Sequence, residues 1–218
     1  MSLIEAHNRL SLDALRGAYL PPVSPPLPYS IALETSKTLP GDVFKDCFGL
    51  VRGMEGMYRR ATGWSPAAKK QEMMDPDMRY LVLLSSSPSS SSSATCTVGF
   101  LSFMITEEAE KEVIYWSCCP LHPLLTYRQL TERSYELHLV EGARGKGLGT
   151  ILVDAMETYG RNVGVERAML TVFIENEAGR RFYSRLGYEV DEISPTEEDF
   201  ELWGKGGAAS YVILSKEL

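Results

Sequence analysis

The stretch Tyr135-Glu136-Leu137-His138-Leu139-Val140-Glu141-Gly142-Ala143-Arg144-Gly145-Lys146-Gly147-Leu148-Gly149 decides the fold. Residues 135–140 alternate and carry an aromatic and branched apolar side chains, the pattern of a strand. A turn rich in glycine and cation follows. From Leu148 apolar residues recur at helical spacing, through Ile151, Leu152, Ala155, Met156 and Tyr159. Strand, glycine turn and helix in that order aim backbone N–H groups and the positive end of a helix dipole at one place. Gly145, Gly147 and Gly149 let a large anion approach the backbone closely. The anion that suits such a turn is a pyrophosphate.

Two common phosphate loops do not fit. The P-loop needs a glycine five residues before its Gly-Lys pair, and that position is Val140. The dinucleotide fingerprint needs G-x-G-x-x-G, whereas Gly145, Gly147 and Gly149 give G-x-G-x-G. Arg144-x-x-Gly147-x-Gly149 does fit the acetyl-CoA pyrophosphate loop of the GNAT acetyltransferases, which it resembles. The flanks extend the resemblance. Residues 167–173 read as a second apolar strand. Asn176 reads as the N-cap of a helix through Arg180, Arg181, Phe182, Tyr183 and Leu186, closed by Gly187. A further strand starts at Tyr188. An Asn followed by this helix resembles the second half of the GNAT cofactor site.

The resemblance implies an α/β (α+β) GNAT acyl-CoA N-acyltransferase fold: a central, mostly antiparallel mixed sheet flanked by helices, with an extra N-terminal helix. It implies acetyl-CoA as co-substrate. It implies cofactor contacts from Leu137, His138, Leu139, Arg144, Gly145, Lys146, Gly147, Leu148, Gly149, Thr150, Thr171, Asn176 and Tyr183.

Working outward, 218 residues with 44% hydrophobic content and a net charge of -7 suit one soluble, acidic domain over 1–218. No apolar run is long enough to span a membrane. Glu5 and Arg9 interrupt any signal-peptide pattern. Cys47, Cys96, Cys118 and Cys119 have neither C-x-x-C nor zinc spacing, and His7, His122 and His138 lack metal spacing too. The cysteines read as reduced thiols of an intracellular protein, and no metal is expected.

Residues 1–19 suggest one helix, ended by Pro21 and Pro22. Residues 29–34 suggest a strand. Asp42 reads as the N-cap of a helix running on to Tyr58, and Ser65-Pro66 as the cap and first residue of a short helix stopped at Asp75. Residues 80–84 and 98–105 suggest a hairpin, joined by a serine-rich loop at 85–93. Residues 107–112 read as a solvated turn before a strand at 113–116. Residues 116–133, with Cys118, Cys119, Pro120 and Pro123, read as an insertion, because Tyr115 would run smoothly into Tyr135.

Several stretches resemble NatD, the N-terminal acetyltransferase family of histone H4 and histone 2A. They are Ala6-His7-Asn8-Arg9-Leu10, Met57-Tyr58, Gly63-Trp64, Lys70-Gln71-Glu72-Met73, Tyr80-Leu81, Tyr135-Glu136, Lys146-Gly147-Leu148-Gly149, Met169-Leu170-Thr171-Val172-Phe173 and Ser210-Tyr211. The resemblance implies acetyl transfer to a histone α-amine by a monomer without auxiliary subunit, in nucleus and cytoplasm, with no direct contact to nucleic acid or membrane. It implies substrate contacts from Tyr58, Tyr115, Tyr135 and Tyr211. The family's aspartate falls at Thr106, beside Glu107 and Glu108.

Amide formation needs a neutral amine, and a peptide α-amine, with a pKa of about 8, needs only modest help from a base. Glu136 lies just before the loop, near the thioester end of the cofactor, and is the candidate base, directly or through water. By resemblance Tyr135 helps to hold or deprotonate the amine, and Tyr183 protonates the leaving thiolate. The acidic run from Glu189 to Glu201 is a solvated face that could attract a basic tail. Two alternatives stay open: a GNAT acetyltransferase acting on lysine or a small amine, and a non-catalytic acetyl-CoA- or histone-tail-binding module.

Overall fold

Tyr29–Thr35 (β1), Arg79–Ser86 (β2) and Thr95–Glu108 (β3) lie antiparallel in the computed structural model. The structure describes residues 2–61, 63–86, 95–108, 111–115, 136–202 and 210–218, the backbone alone for 200–202. Tyr80, Leu81, Val82 and Leu83 of β2 are all buried, so this strand is apolar on both faces and sits mid-sheet. Lys111–Tyr115 (β4) returns along one half of β3, and Leu137–Leu139 (β5) along the other. β4 also runs parallel to Arg167–Phe173 (β6). Glu189–Val190 (β7) and Tyr211–Glu217 (β8) complete the order β1-β2-β3-β4-β6-β8-β7. The mixed, mostly antiparallel sheet matches the expected fold class.

The sheet opens in the middle. β4 meets β6 over Val113–Tyr115, but β5 pairs with β3, and among the described residues no ladder joins β5 to β6. Beyond Met169, β6 therefore has β8 on one side and a gap on the other. β5 is held tightly on its β3 side. A Cβ on Gly99 would come within 2.4 Å of the Leu139 side chain and 2.6 Å of the His138 carbonyl oxygen, so glycine alone permits this approach.

The register bounds the expected insertion. Tyr115 faces Met104 and Leu137 faces Leu101. Three steps along β3 thus correspond to twenty-two along the returning chain, a surplus of nineteen. The insertion at 116–133 and Tyr135 themselves lie outside the described residues, as do most of the serine-rich loop (87–94), Cys118, Cys119 and His122. Deleting 116–134, so that Tyr115 joins Tyr135, is expected to keep both halves of the ladder in register. Chemical denaturation checks that the shortened protein still unfolds cooperatively, and a deletion that fails to fold would contradict the single-strand reading.

Leu3–Asn8 (α1), Leu12–Tyr19 (α2), Gly41–Arg52 (α3), Glu55–Ala61 (α4), Pro66–Met73 (α5), Leu148–Val163 (α6), Glu177–Arg185 (α7) and Glu197–Leu202 (α8) are the described α-helices. The N-terminal helix is two helices, not one. The Ser11 hydroxyl caps the Ala14 N–H at 3.3 Å and restarts the chain. The helix expected from Asp42 to Tyr58 is also two. Asp42 lies inside the first turn of α3, and Gly53, a poor helix former, ends it. Ser65 and Pro66 are cap and first residue of α5, as read. The turn expected at 107–112 is mostly ladder, with Glu107 opposite Glu112 and Glu108 opposite Lys111. The strand read at 135–140 is seen at Leu137–Leu139.

α1 docks through a buried histidine. His7 Nε2 lies 2.8 Å from the Tyr159 hydroxyl of α6, and Nδ1 lies 2.9 Å from Asn8 Oδ1. Burial pushes the His7 pKa down to about 4. A histidine kept neutral by folding stabilises fully above its unfolded value of about 6.5 and loses that contribution as pH falls toward 4. The wild type should lose about 2 kcal/mol from this group between pH 7 and pH 5, or roughly 4–8 °C in Tm. His7→Gln should show a smaller gap between the two pH values. An equal gap would place the proton elsewhere.

Candidate active site

The glycine turn is built as the sequence suggests. Glu141–Ala143 form a single 3-10 turn, Arg144 is extended, and Gly145 and Gly147 take φ of 71° and 77°. A left-handed residue at Gly147 starts the sixteen-residue α6 with no side-chain cap on its first amide groups. Those donors, with the helix dipole, fit a pyrophosphate. A Cβ on Gly145 or Gly147 would meet nothing within 4 Å, so the turn is open on that side. Leu148 and Gly149 are buried, and Thr150 follows them in the first turn of α6. Gly149 lets Phe182 of α7 pack within 3.3 Å of where a Cβ would stand. Arg144 Nε donates to the Leu139 carbonyl at 3.1 Å, and Lys146 Nζ lies 3.4 Å from the Tyr29 hydroxyl.

β5 offers its other edge to the gap. The Glu136 carbonyl and the Val140 N–H bond to β3, so antiparallel alternation turns the peptide groups of Leu137 and Leu139 toward the gap. Leu137 and Leu139 thus offer backbone groups where the cofactor chain is expected, whereas those of His138, expected with them, turn to β3. Across the gap, Asn176 caps α7, its Oδ1 accepting the Gly179 N–H at 3.0 Å. The Nδ2 amide and the second lone pair of Oδ1 remain for a cofactor contact from this side chain. Arg60 of α4 reaches Glu175 at 2.7 Å and ties the helical side of the site to this turn.

Glu136 sits at the head of β5 with no exposed surface, held on all sides. Its backbone N–H donates to the Ser102 hydroxyl at 2.8 Å. Its Oε1 accepts from the Tyr58 hydroxyl and lies 2.8 Å from Lys69 Nζ, and its Oε2 lies 2.6 Å from His138 Nε2. Lys69 in turn meets Glu72 at 3.0 Å and lies over the Tyr58 ring. Burial pushes the Glu136 carboxyl up, but Lys69 and His138 outweigh it and hold it at about 2. A carboxyl held there cannot take a proton from an amine near neutral pH. The base role expected of Glu136 narrows to that of a fixed anion that orients its donors.

The tyrosines largely converge. Tyr58, on α4, packs edge-on to Phe173 at 5.3 Å between ring centres. Phe173 faces Tyr211 across the β6–β8 ladder, which puts the two on one face. Two residues back on that face, the Thr171 hydroxyl lies 2.8 Å from the Tyr115 hydroxyl. Tyr58, Tyr115, Thr171 and Tyr211 thus share one side of the opened sheet. Tyr183 is buried on α7 against Phe182 and Tyr188. Tyr135 lies outside the described residues. Thr106, where the NatD resemblance would put an aspartate, is buried opposite Val113. In the late acidic run, Asp191 is structural: it is buried against Arg167 at 3.2 Å.

Sequence patterns do not single out Lys69 or the contact of His138 with Glu136. Lys69-x-x-Glu72 has the spacing of a helical ion pair, but nothing in it shows that the pair is buried. His138 and Glu136 alternate onto one face of β5, a signal that strand periodicity does carry. Among the described residues no group of three or more metal-ligating side chains could hold a metal ion, and no helix is long and apolar enough to cross a membrane.

The chain is similar to several known proteins. The chain is 35% identical over 74 residues to the uncharacterized N-acetyltransferase YdgE of Bacillus subtilis, covering 34% of this chain and 44% of that protein. It is 26% identical over 84 residues to YycN of the same organism, also an uncharacterized N-acetyltransferase, covering 38% and 53%. The chain thus spans about half the length of these curated relatives. Its fold is that of a GCN5-related N-acetyltransferase from Kribbella flavida (TM-score 0.54, 11% identity, 86% and 98% of the two chains). It is equally that of Arabidopsis thaliana NAA60, solved with a bisubstrate analogue (TM-score 0.50, 12% identity, 87% and 99%). Residues 55–188 match the model of the acetyltransferase (GNAT) family, whose acetyl donor is acetyl-CoA. That match spans both the glycine turn and the Glu136 cluster, and with it the chain belongs to the GNAT acetyltransferase family.

Proposed function

We propose that the protein transfers acetyl from acetyl-CoA to the N-terminal α-amine of histone H4 and histone 2A. The observation that carries this reading is the buried Tyr58–Glu136 hydrogen bond at the head of β5, where the strand leaves the sheet's gap. Acetyl-CoA supplies an activated thioester carbonyl. The residues at 144–149 hold its pyrophosphate, and Leu137 and Leu139 its pantetheine. Glu136 stays ionised and fixes Tyr58, whose oxygen then accepts a hydrogen bond from the incoming amine. An α-amine is partly neutral near pH 7 and needs no strong base. The resemblance of Tyr58, Tyr115, Tyr135 and Tyr211 to the NatD substrate set supports a peptide acceptor. A basic tail is favoured by the facing pair Glu107 and Glu112, like charges in one ladder that an approaching cation would relieve. By the same resemblance the enzyme acts as a monomer, in nucleus and cytoplasm.

A peptide beginning Ser-Gly-Arg-Gly is expected to be acetylated at least about ten times more efficiently than the same peptide with glutamate for arginine. The opposed carboxylates would cost about 1.4 kcal/mol or more. Equal kcat/KM for the two would remove histone tails from the reading.

A further inference from the structure

We propose that His138 takes the proton that the acceptor amine gives up, with Glu136 fixing its tautomer for that task. The inference rests on amine acetylation as read above. His138 Nε2 lies 2.6 Å from Glu136 Oε2, so an imidazole facing this carboxylate places its N–H on Nε2. Nδ1 then carries the lone pair, and among the described residues nothing bonds to it. The ring packs on Phe100 of β3, its ladder partner, at 5.8 Å, which holds its plane. His138 follows Glu136 by two residues and precedes the glycine turn, so it stands between the buried anion and the cofactor loop.

The surrounding groups leave this role to it. Glu136 remains ionised, and Lys69 of α5, which burial pushes down but Glu136 and Glu72 together raise above its usual value, remains an ammonium. From β2, burial holds the Tyr80 hydroxyl well above its usual value, and from α3 it pushes the Cys47 thiol up to about 12. Tyr58 of α4 donates to Glu136, and Glu72 of α5 holds Lys69. A neutral imidazole whose one nitrogen donates can accept a proton at the other. The protons balance. The acceptor ammonium loses one to Nδ1, which passes it to solvent. The amine nitrogen bonds to the acetyl carbon as the carbon–sulfur bond breaks, and the second proton leaves the nitrogen for the departing sulfur. Ammonium and thioester give amide, thiol and one proton.

His138→Gln tests the assignment, because the amide can still donate to Glu136 but cannot take a proton. With whichever of two peptides accepts label (free α-amine, or blocked α-amine with free lysine), kcat should fall about 100-fold. The acidic limb of the pH–rate profile should disappear, and acetyl-CoA affinity by calorimetry should stay within about twofold. A separate readout needs no turnover: the nitrogen NMR shifts of His138 in the free protein should report the Nε2–H tautomer above neutral pH, lost in Glu136→Gln. Label on the lysine peptide alone would sink the α-amine reading yet leave this test intact. An unchanged pH profile in His138→Gln, or an Nδ1–H tautomer, overturns the proposal; if neither peptide takes label, the tautomer alone decides.

Discussion

Glu136→Gln is expected to cut acetyl transfer by about 10²–10⁴-fold while leaving acetyl-CoA affinity nearly unchanged. The substitution keeps the shape of the side chain and removes its charge. Tyr58 and His138 each orient on one oxygen of this carboxylate. An amide offers one oxygen and one NH₂, so at most one of the two keeps its acceptor. The backbone bonds to Ser102 survive, and β5 stays on β3. The loss should therefore fall on kcat, as measured by steady-state transfer beside calorimetry with acetyl-CoA. A variant with wild-type kcat would remove Glu136 from the reaction. The carboxylate also couples stability to pH. Its pKa is lowered from 4.5 to about 2, so its contribution is complete above 4.5 and lost as pH falls toward 2. That contribution is about 3 kcal/mol at neutral pH.

Lys69→Met should destabilise the fold by about 3–5 kcal/mol at pH 7. Lys69 lies within 3.0 Å of two carboxylates and is almost fully buried with both of them. Methionine fills the space but leaves those anions without this cation in a place water does not reach. For a chain of this size the expected fall in Tm is roughly 10 °C. The deficit should shrink as pH drops below about 5, because an unbalanced buried carboxylate takes up a proton early. Thermal unfolding of both proteins from pH 7 to pH 4 measures this. A deficit that does not change with pH would mean that Lys69 packs rather than neutralises.

Local signals carried most of the fold. The strand at 167–173, the Ser65-Pro66 helix start and the Asn176 cap are legible because each rests on a few neighbouring residues. Apolar spacing predicts one helix at each of the two breaks because it continues across Ser11 and Gly53, where a cap and a glycine override it. The site was legible in its loop and not in its charge cluster. Gly145 and Gly147 announce a phosphate turn by type and spacing. Lys69, Glu136 and His138 meet only because α5 lies over the head of β5, a contact across more than sixty residues of chain that no local pattern records. Burial alone would raise the Glu136 carboxyl toward the range of a base, but the Lys69 ammonium and His138 packed against it outweigh that and favour the fixed anion.

The most direct measurement is transfer of label from acetyl-CoA to two peptides. One begins Ser-Gly-Arg-Gly with its α-amine free. The other has that amine blocked and its lysines free. Label on the first alone is the result expected of an α-amine acetyltransferase built around Glu136. Label on the blocked peptide, or on neither while acetyl-CoA still binds, would contradict it.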